Sequence, residues 1–151
     1  MLVEIAWPAV QHLSWIRAQG DIRLLAQFRN PRHVVRSMVN RKFCSVYGDI
    51  LNCGISREDT PGNASRLWVA WYRRIMEAEP EGVYRVEENL KDIVRAHFGG
   101  IQTNGQYRHA QDWARQNNGS GYNPEDVGWH QCCPELREIA AEHGYVKAVM
   151  A

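Results

Sequence analysis

The length and composition of this chain are those of one globular domain. It has 151 residues, 44% of them hydrophobic, which is enough to bury a core, so we expect a single domain spanning residues 1–151. The formal net charge of +1 excludes a surface that attracts polyanions as a whole, so any attraction for phosphate must be local.

The sequence predicts neither a membrane-spanning segment nor a disulfide framework. No apolar run approaches the roughly 20 residues that cross a bilayer, and no basic segment followed by an apolar core stands at the N-terminus. The four cysteines are too few and too irregularly spaced for a disulfide scaffold. The sequence also lacks the Cys-x-x-Cys pair that is typical of zinc sites. We expect a cytoplasmic protein with reduced thiols, no bound metal and no membrane partner.

The first predicted helix covers residues 8–19. It follows a short apolar segment that Glu4 interrupts, and Gly20 is a natural stop. Its buried stripe consists of Val10, Leu13 and Ile16, with Trp15 as a further candidate.

The central stretch of the chain predicts a strand, a tight turn and a helix. Residues 22–28 form a nearly continuous apolar run, typical of a strand that is buried on both faces. After Arg29, Asn30 can cap a helix and Pro31 suits the first helical position. The helix then carries Val34, Val35, Met38 and Val39 on one side. A guanidinium beside a helix N-terminus, with its free N–H groups, predicts an anion site.

At these residues the chain resembles the nucleotide-dependent sulfotransferases, which move a sulfuryl group from 3′-phosphoadenosine 5′-phosphosulfate (PAPS) to a hydroxyl or amine. Their 3′-phosphate motif is an apolar strand, then Arg-Asp/Asn-Pro, then a helix with a Ser on its second turn. Here Arg29, Asn30, Pro31 and Ser37 stand in that order and spacing. The resemblance implies that Arg29 and Ser37 hold the 3′-phosphate of PAPS or of its product PAP.

Two later segments carry the same resemblance. Residues 84–100, YRVEENLKDIVRAHFGG, are similar to the family's Arg-Tyr-Glu-Asp-Leu segment, with Asn89 in place of the usual acid. Residues 83–86 predict a second short buried strand, followed by a helix that Gly99 and Gly100 close. The stretch PELREIAAEHGY resembles the family's terminal helix, which implies that it packs on the body of the domain.

Between these segments the sequence predicts a helix with an aromatic stripe. Asn63 or Ser65 can cap this helix, which runs to about Ala78. Because the aromatic residues follow one helical face, we expect them to pack in the core rather than to stack on bases. The stripe consists of Leu67, Trp68, Trp71, Tyr72 and Ile75.

The resemblance implies an α/β fold class: a partial P-loop-like sulfotransferase domain, with a small parallel sheet in a mainly helical surround. The family also needs a glycine-rich loop bearing Lys and Ser/Thr to cradle the 5′-phosphosulfate. That loop would precede Glu4, where there is no room, and no other segment matches it. We therefore expect a domain that lacks this N-terminal loop, with Glu4 as the candidate catalytic base that accepts the proton of the acceptor.

Three functions follow from these observations. The first is a sulfotransferase-like protein that binds PAPS or PAP and transfers sulfate only if the missing loop is supplied elsewhere. The second is a non-catalytic binding or assembly protein that keeps the fold. The third, ranked last, is nucleic-acid binding through the basic residues of the 29–42 segment. Because so small a sheet leaves open edges, we also expect a homo-oligomer or a partner chain.

Overall fold

The computed structural model describes residues 10, 12–49, 54–85, 92, 95–96, 99 and 127–146. Within these residues the elements follow in the order α1 (Leu13–Ala18), β1 (Leu25–Phe28), α2 (Pro31–Asn40), α3 (Phe43–Tyr47), α4 (Pro61–Glu77), β2 (Gly82–Arg85), a short 3₁₀ helix (Trp129–Gln131) and α5 (Pro134–Glu142). None of the helices in this part of the chain has the length and apolarity needed to cross a bilayer.

The two strands of the described sheet are parallel. β1 pairs with β2 in the register Leu25 with Gly82 through Phe28 with Arg85. Parallel strands need a long crossover, and here α2, α3 and α4 form it. Since the rest is mainly helical, the coarse α/β class is confirmed.

The predicted strand, turn and helix form as expected at their centre. Asn30 is the N-cap of α2, and its side-chain Oδ1 accepts a hydrogen bond from the N–H of Arg32 at 3.1 Å. Pro31 occupies the first helical position, where its fixed φ and missing N–H cost nothing. Val35 and Met38 are buried, as the helical spacing predicts.

The burial predicted for the strands is wrong on one face of each. In β1, Ala26 and Phe28 are buried but Gln27 is exposed, because the helices pack against the face that carries Ala26 and Phe28. In β2, Tyr84 is buried, whereas Val83 is 37% exposed. Buried and exposed side chains thus alternate along each strand. Because Gln27 pairs with Tyr84, the buried side chain of β2 lies on the face opposite to that of Ala26 and Phe28.

Two further predictions are corrected at helix ends and surfaces. The cap of α4 is Thr60, whose hydroxyl accepts from the N–H of Asn63, because Pro61 starts the helix earlier than Asn63 or Ser65 would. Ser65 is fully buried instead: its hydroxyl donates to the Gly62 carbonyl and accepts from the Cys133 N–H. Trp15 is 65% exposed and is not part of the buried stripe of α1.

The larger core lies between the sheet, α2, α4 and α5. Its fully buried members include Val35, Leu67 and Leu136, one from each of the three helices. The phenyl ring of Phe28 projects into it from the end of β1 and meets the Trp68 indole edge to face at 6.1 Å. The core thus fixes the carboxyl end of β1 against three helices.

A smaller core lies at the opposite, amino end of the strands. It contains Leu13 and Leu24 together with Ala78, which follows α4. The Leu24 N–H donates to a carboxylate oxygen of Glu81 at 2.6 Å, and the Arg17 guanidinium donates to the carbonyl of Ala78. These bonds join α1 to the end of α4 and to the start of the sheet.

The end of α5 is closed by a glycine turn, as the sequence predicts. Gly144 has a φ of +75°, its N–H donates to the Ala141 carbonyl at 3.0 Å, and the Tyr145 N–H donates to the Ala140 carbonyl at 2.8 Å. This pair of bonds is the Schellman motif, which requires a left-handed residue after the helix. The turn directs Tyr145 back toward the sheet.

We expect Gly144→Ala to lower the free energy of unfolding by about 1–2 kcal/mol, because an L side chain is strained in the left-handed region. Chemical denaturation at fixed pH measures this change. Gly62→Ala is the matched control: Gly62 lies in the first turn of α4, where a Cβ would meet only the Gln131 carbonyl at 3.7 Å. Equal stability of Gly144→Ala and wild type would show that the turn is not constrained as described.

Candidate anion-binding site

The candidate site lies at the carboxyl ends of the two parallel strands. Ligands of open α/β sheets bind at this edge, where the strands give way to loops and helix N-termini. Arg29 directly follows β1, and α2 begins two residues later. Arg29 is partly exposed, as a residue that meets a soluble ligand must be.

Ser37 lies on the same side of α2 as its N-cap. Seven residues separate Ser37 from Asn30, which is about two helical turns, and they place it about 10 Å further along the axis. Ser37 is also partly exposed. Within the described part of the chain, neither the Ser37 hydroxyl nor the Arg29 guanidinium makes a hydrogen bond or an ion pair.

The predicted free N–H groups at the start of α2 are occupied, which corrects the sequence interpretation. Pro31 has no N–H, the Arg32 N–H donates to the Asn30 side chain, and the His33 N–H donates to the Asn30 carbonyl at 3.0 Å. The helix dipole remains favourable to an anion. Direct hydrogen bonds to a ligand must therefore come from side chains.

The C-terminal helix places aromatic side chains beside the predicted site. The His143 imidazole stacks on the Phe28 ring, with centroids 4.5 Å apart and planes at 13°. The Tyr145 hydroxyl donates to the Phe28 carbonyl at 3.1 Å. Phe28 immediately precedes Arg29, so α5 and the turn after it hold the backbone from which Arg29 projects.

A second guanidinium stands at the same edge. Arg85 ends β2, and its Cζ lies 6.0 Å from the centroid of the Tyr145 ring, within the range of a cation–π contact. Sequence reasoning assigned Arg85 and Tyr145 no place in the site. Only the parallel register brings Arg85 level with Phe28, and no local pattern in the sequence encodes that register.

One basic residue of α2 packs against another segment of the chain. The Arg32 guanidinium lies over the Trp129 ring, with its Cζ 5.9 Å from the centroid, and its Nε is buried. Arg32 therefore belongs to the packing between α2 and the C-terminal segment. This contact removes one of the cations on which nucleic-acid binding would depend.

Tyr72 and His143 form a polar pair next to Phe28, at the carboxyl end of β1. The Tyr72 hydroxyl and His143 Nε2 are 3.2 Å apart, and the two rings meet edge to face. Burial lowers the pKa of His143, although the neighbouring Glu142 carboxylate opposes this, and burial raises the pKa of Tyr72. Both groups are thus held neutral at physiological pH.

Burial disfavours the thiolate form of two cysteines. Burial, with a smaller contribution from the Asp59 carboxylate, raises the pKa of the Cys44 thiol to about 11. Burial likewise raises the pKa of Cys132 to about 11. Thiols with such values are protonated at neutral pH. Across the described residues, no group of three His, Cys, Asp or Glu side chains is placed to hold a metal ion.

A separate open cleft of about 560 Å³ lies between α4 and α5, and it is not lined by Arg29, Ser37 or Arg85. Its walls carry an ion pair between Arg73 and Glu135. The remaining lining residues are Ile55, Arg66, Val69, Ala70, Cys133, Pro134 and Glu138.

The candidate base Glu4 lies outside the described residues, so its role stays a prediction. No protein-family model, curated protein or solved structure matches this chain.

We expect the stability of the protein to fall as the pH drops below 6.5, the ordinary pKa of histidine. Because burial lowers the pKa of His143 in the folded state, the unfolded chain binds this proton more readily, and acid therefore favours unfolding. The contribution of His143 to the free energy of unfolding is complete above pH 6.5. It is lost as the pH falls through the pKa of His143 in the folded state.

His143→Phe tests this expectation, since it keeps a ring against Phe28 but removes the titrating group. Denaturation at a series of pH values from 7.5 to 5 should give a smaller loss of stability in the variant than in wild type. Parallel profiles for the two proteins would show that His143 is not the group responsible.

Proposed function

We propose that this protein binds the 3′-phosphate of PAPS or PAP, as the sulfotransferases do, through Arg29 and Ser37. The main support is the unit formed by β1 and α2, in which the strand end, the Asn30 cap and Pro31 follow the order of the motif. Both candidate ligands are partly exposed, and neither is engaged elsewhere in the described residues. A guanidinium and a hydroxyl are suited to a dianionic phosphate.

The proposed fold is the C-terminal part of a P-loop-like sulfotransferase domain. A parallel strand pair joined through helices, with the candidate site at the carboxyl edge, is compatible with that architecture. The similarity of residues 84–100 and of the terminal helix to the family adds to this proposal.

Sulfuryl transfer to a hydroxyl or amine acceptor would require more than these 151 residues contain. No glycine-rich loop with Lys and Ser/Thr follows a strand in the sequence, and such a loop must cradle the phosphosulfate that leaves. In this proposal another segment or chain supplies that loop, and Glu4 accepts the proton of the acceptor. Transfer would then be direct and in line.

The second candidate is a binding or assembly protein that retains the nucleotide pocket without the reaction. Both candidates bind PAP, and they differ in catalysis: incubation with sulfur-labelled PAPS and simple hydroxyl or amine acceptors separates them, because only the enzyme passes label to the acceptor.

We expect wild-type protein to bind PAP in titration calorimetry and Arg29→Ala to bind it about 10- to 100-fold more weakly. A hydrogen bond to a charged group contributes about 1.5–3 kcal/mol, which corresponds to that range. Ser37→Ala should weaken binding less, because its hydroxyl is neutral.

Arg74→Ala is the matched control for Arg29→Ala. Arg74 is exposed and lies in the last turn of α4, which leads into the amino end of β2, opposite the candidate site. Wild-type affinity in this variant would show that loss of one positive charge alone does not weaken binding. If wild-type protein does not bind PAP, the proposed function is wrong.

We also propose that the sheet is extended by a second copy of this chain or by another protein. The described sheet has only two strands, and unpaired backbone groups along an edge favour further pairing. Light scattering at micromolar concentration should therefore give a mass above the 17.4 kDa of one chain, or a mass that rises when a partner is added. A monodisperse monomer with no partner would contradict self-association.

A further inference from the structure

The peptide group between Phe28 and Arg29 is contacted by the C-terminal segment of the chain. The Tyr145 hydroxyl donates to the Phe28 carbonyl at 3.1 Å, over a separation of 117 positions in the sequence. This carbonyl and the N–H of Arg29 belong to the same planar peptide group. The hydrogen bond therefore constrains the plane from which the Arg29 residue starts.

The side chain of Phe28 is held at the same place. The His143 imidazole stacks on the Phe28 ring with centroids 4.5 Å apart, and the Tyr72 ring meets it edge to face at 5.1 Å. The ring is buried in the larger core. Because both the ring and the carbonyl of Phe28 are held, contacts with α4, α5 and the turn after α5 set the direction in which the chain leaves β1.

The backbone is also held on the other side of Arg29, whereas the Arg29 side chain is not engaged. Asn30 caps α2: its side chain accepts from the Arg32 N–H, and its carbonyl accepts from the His33 N–H. The Arg29 guanidinium makes no hydrogen bond or ion pair within the described residues. The fold thus positions this residue through its backbone and leaves its charged group available.

The glycine turn after α5 gives Tyr145 a defined starting point. Gly144 has a φ of +75°, and the Tyr145 N–H donates to the Ala140 carbonyl at 2.8 Å. The Tyr145 backbone is therefore attached to the last turn of α5, which packs in the larger core through Ile139. The hydroxyl that meets Phe28 is carried by a part of the chain that is itself fixed.

We propose that Tyr145 is a positioning residue of the anion site: its hydroxyl holds the Phe28–Arg29 peptide group in the orientation from which the Arg29 guanidinium reaches a phosphate. This proposal rests on the proposed function, since it concerns the same site, and the ligand chemistry is the 3′-phosphate of an adenosine nucleotide. Tyr145 acts through Arg29 and makes no contact with the ligand. When the competent arrangement is only partly populated, the apparent affinity falls in proportion to that population.

Tyr145→Phe tests this role, because it removes the hydroxyl and keeps the ring. We expect the variant to bind PAP about three- to tenfold more weakly than wild type in titration calorimetry, since one neutral hydrogen bond no longer holds the peptide group. In the Arg29→Ala background the same substitution should cause no further loss, because the guanidinium that it positions is absent. A loss of equal size in both backgrounds would overturn the proposal.

Ser65→Ala is the matched control for a general loss of stability. The Ser65 hydroxyl is buried and accepts from the Cys133 N–H at 2.9 Å, at the beginning of α5, whereas Tyr145 follows the end of that helix. We expect Ser65→Ala to unfold at a lower temperature than wild type but to bind PAP as wild type does while it is folded. If both variants weaken PAP binding equally, the positioning role is overturned.

A spectroscopic measurement tests the contact without any ligand. The NMR signal of a backbone amide responds to hydrogen bonding at the carbonyl of the same peptide group. We expect Tyr145→Phe to shift the Arg29 amide signal of the ligand-free protein and Ser65→Ala to leave it in place. An unchanged Arg29 signal in Tyr145→Phe would show that the hydroxyl does not hold this peptide group.

The outcomes separate this proposal from the proposed function. If wild type does not bind PAP, both are overturned. If Arg29→Ala loses PAP binding and Tyr145→Phe does not, only the positioning role is overturned. If Tyr145→Phe weakens binding and Arg29→Ala does not, Arg29 is not a ligand of the phosphate, and both are overturned.

Discussion

The parallel pairing of β1 with β2 is the constraint on which the rest of the structure depends. It brings together two segments that α2, α3 and α4 separate in the chain, and it places both carboxyl ends at one edge. The smaller core and Glu81 secure the amino ends, whereas Phe28 secures the carboxyl end in the larger core. The candidate site therefore lies next to the larger core, into which Phe28 projects.

This edge combines rigid support with a guanidinium that the fold does not engage, since Arg29 makes no hydrogen bond or ion pair within the described residues. The backbone donors of α2 are used by its own cap, so the local fold is satisfied without a ligand. The Arg29 side chain takes no part in that cap, and the strand register places Arg85 level with Phe28.

The C-terminal helix contributes more than packing to this arrangement. Its last residues contact Phe28 through a stacked imidazole and a tyrosine hydroxyl, over a sequence separation of more than one hundred residues. The glycine turn at Gly144 makes this return possible. Loss of the turn would therefore lower the stability of the domain and release Tyr145 from the Phe28 carbonyl.

The sequence alone determined the local structure: the strand before Arg29, the Asn30 cap and the glycine turn at Gly144 are encoded by residues a few positions apart. It misplaced the cap of α4 and the exposure of Trp15 and Gln27, because burial depends on which face the distant helices cover. Only the tertiary structure decided that Arg85 and Tyr145 lie beside Phe28, the residue before Arg29. That proximity arises from strand register and from contacts between distant segments, for which no short-range pattern exists.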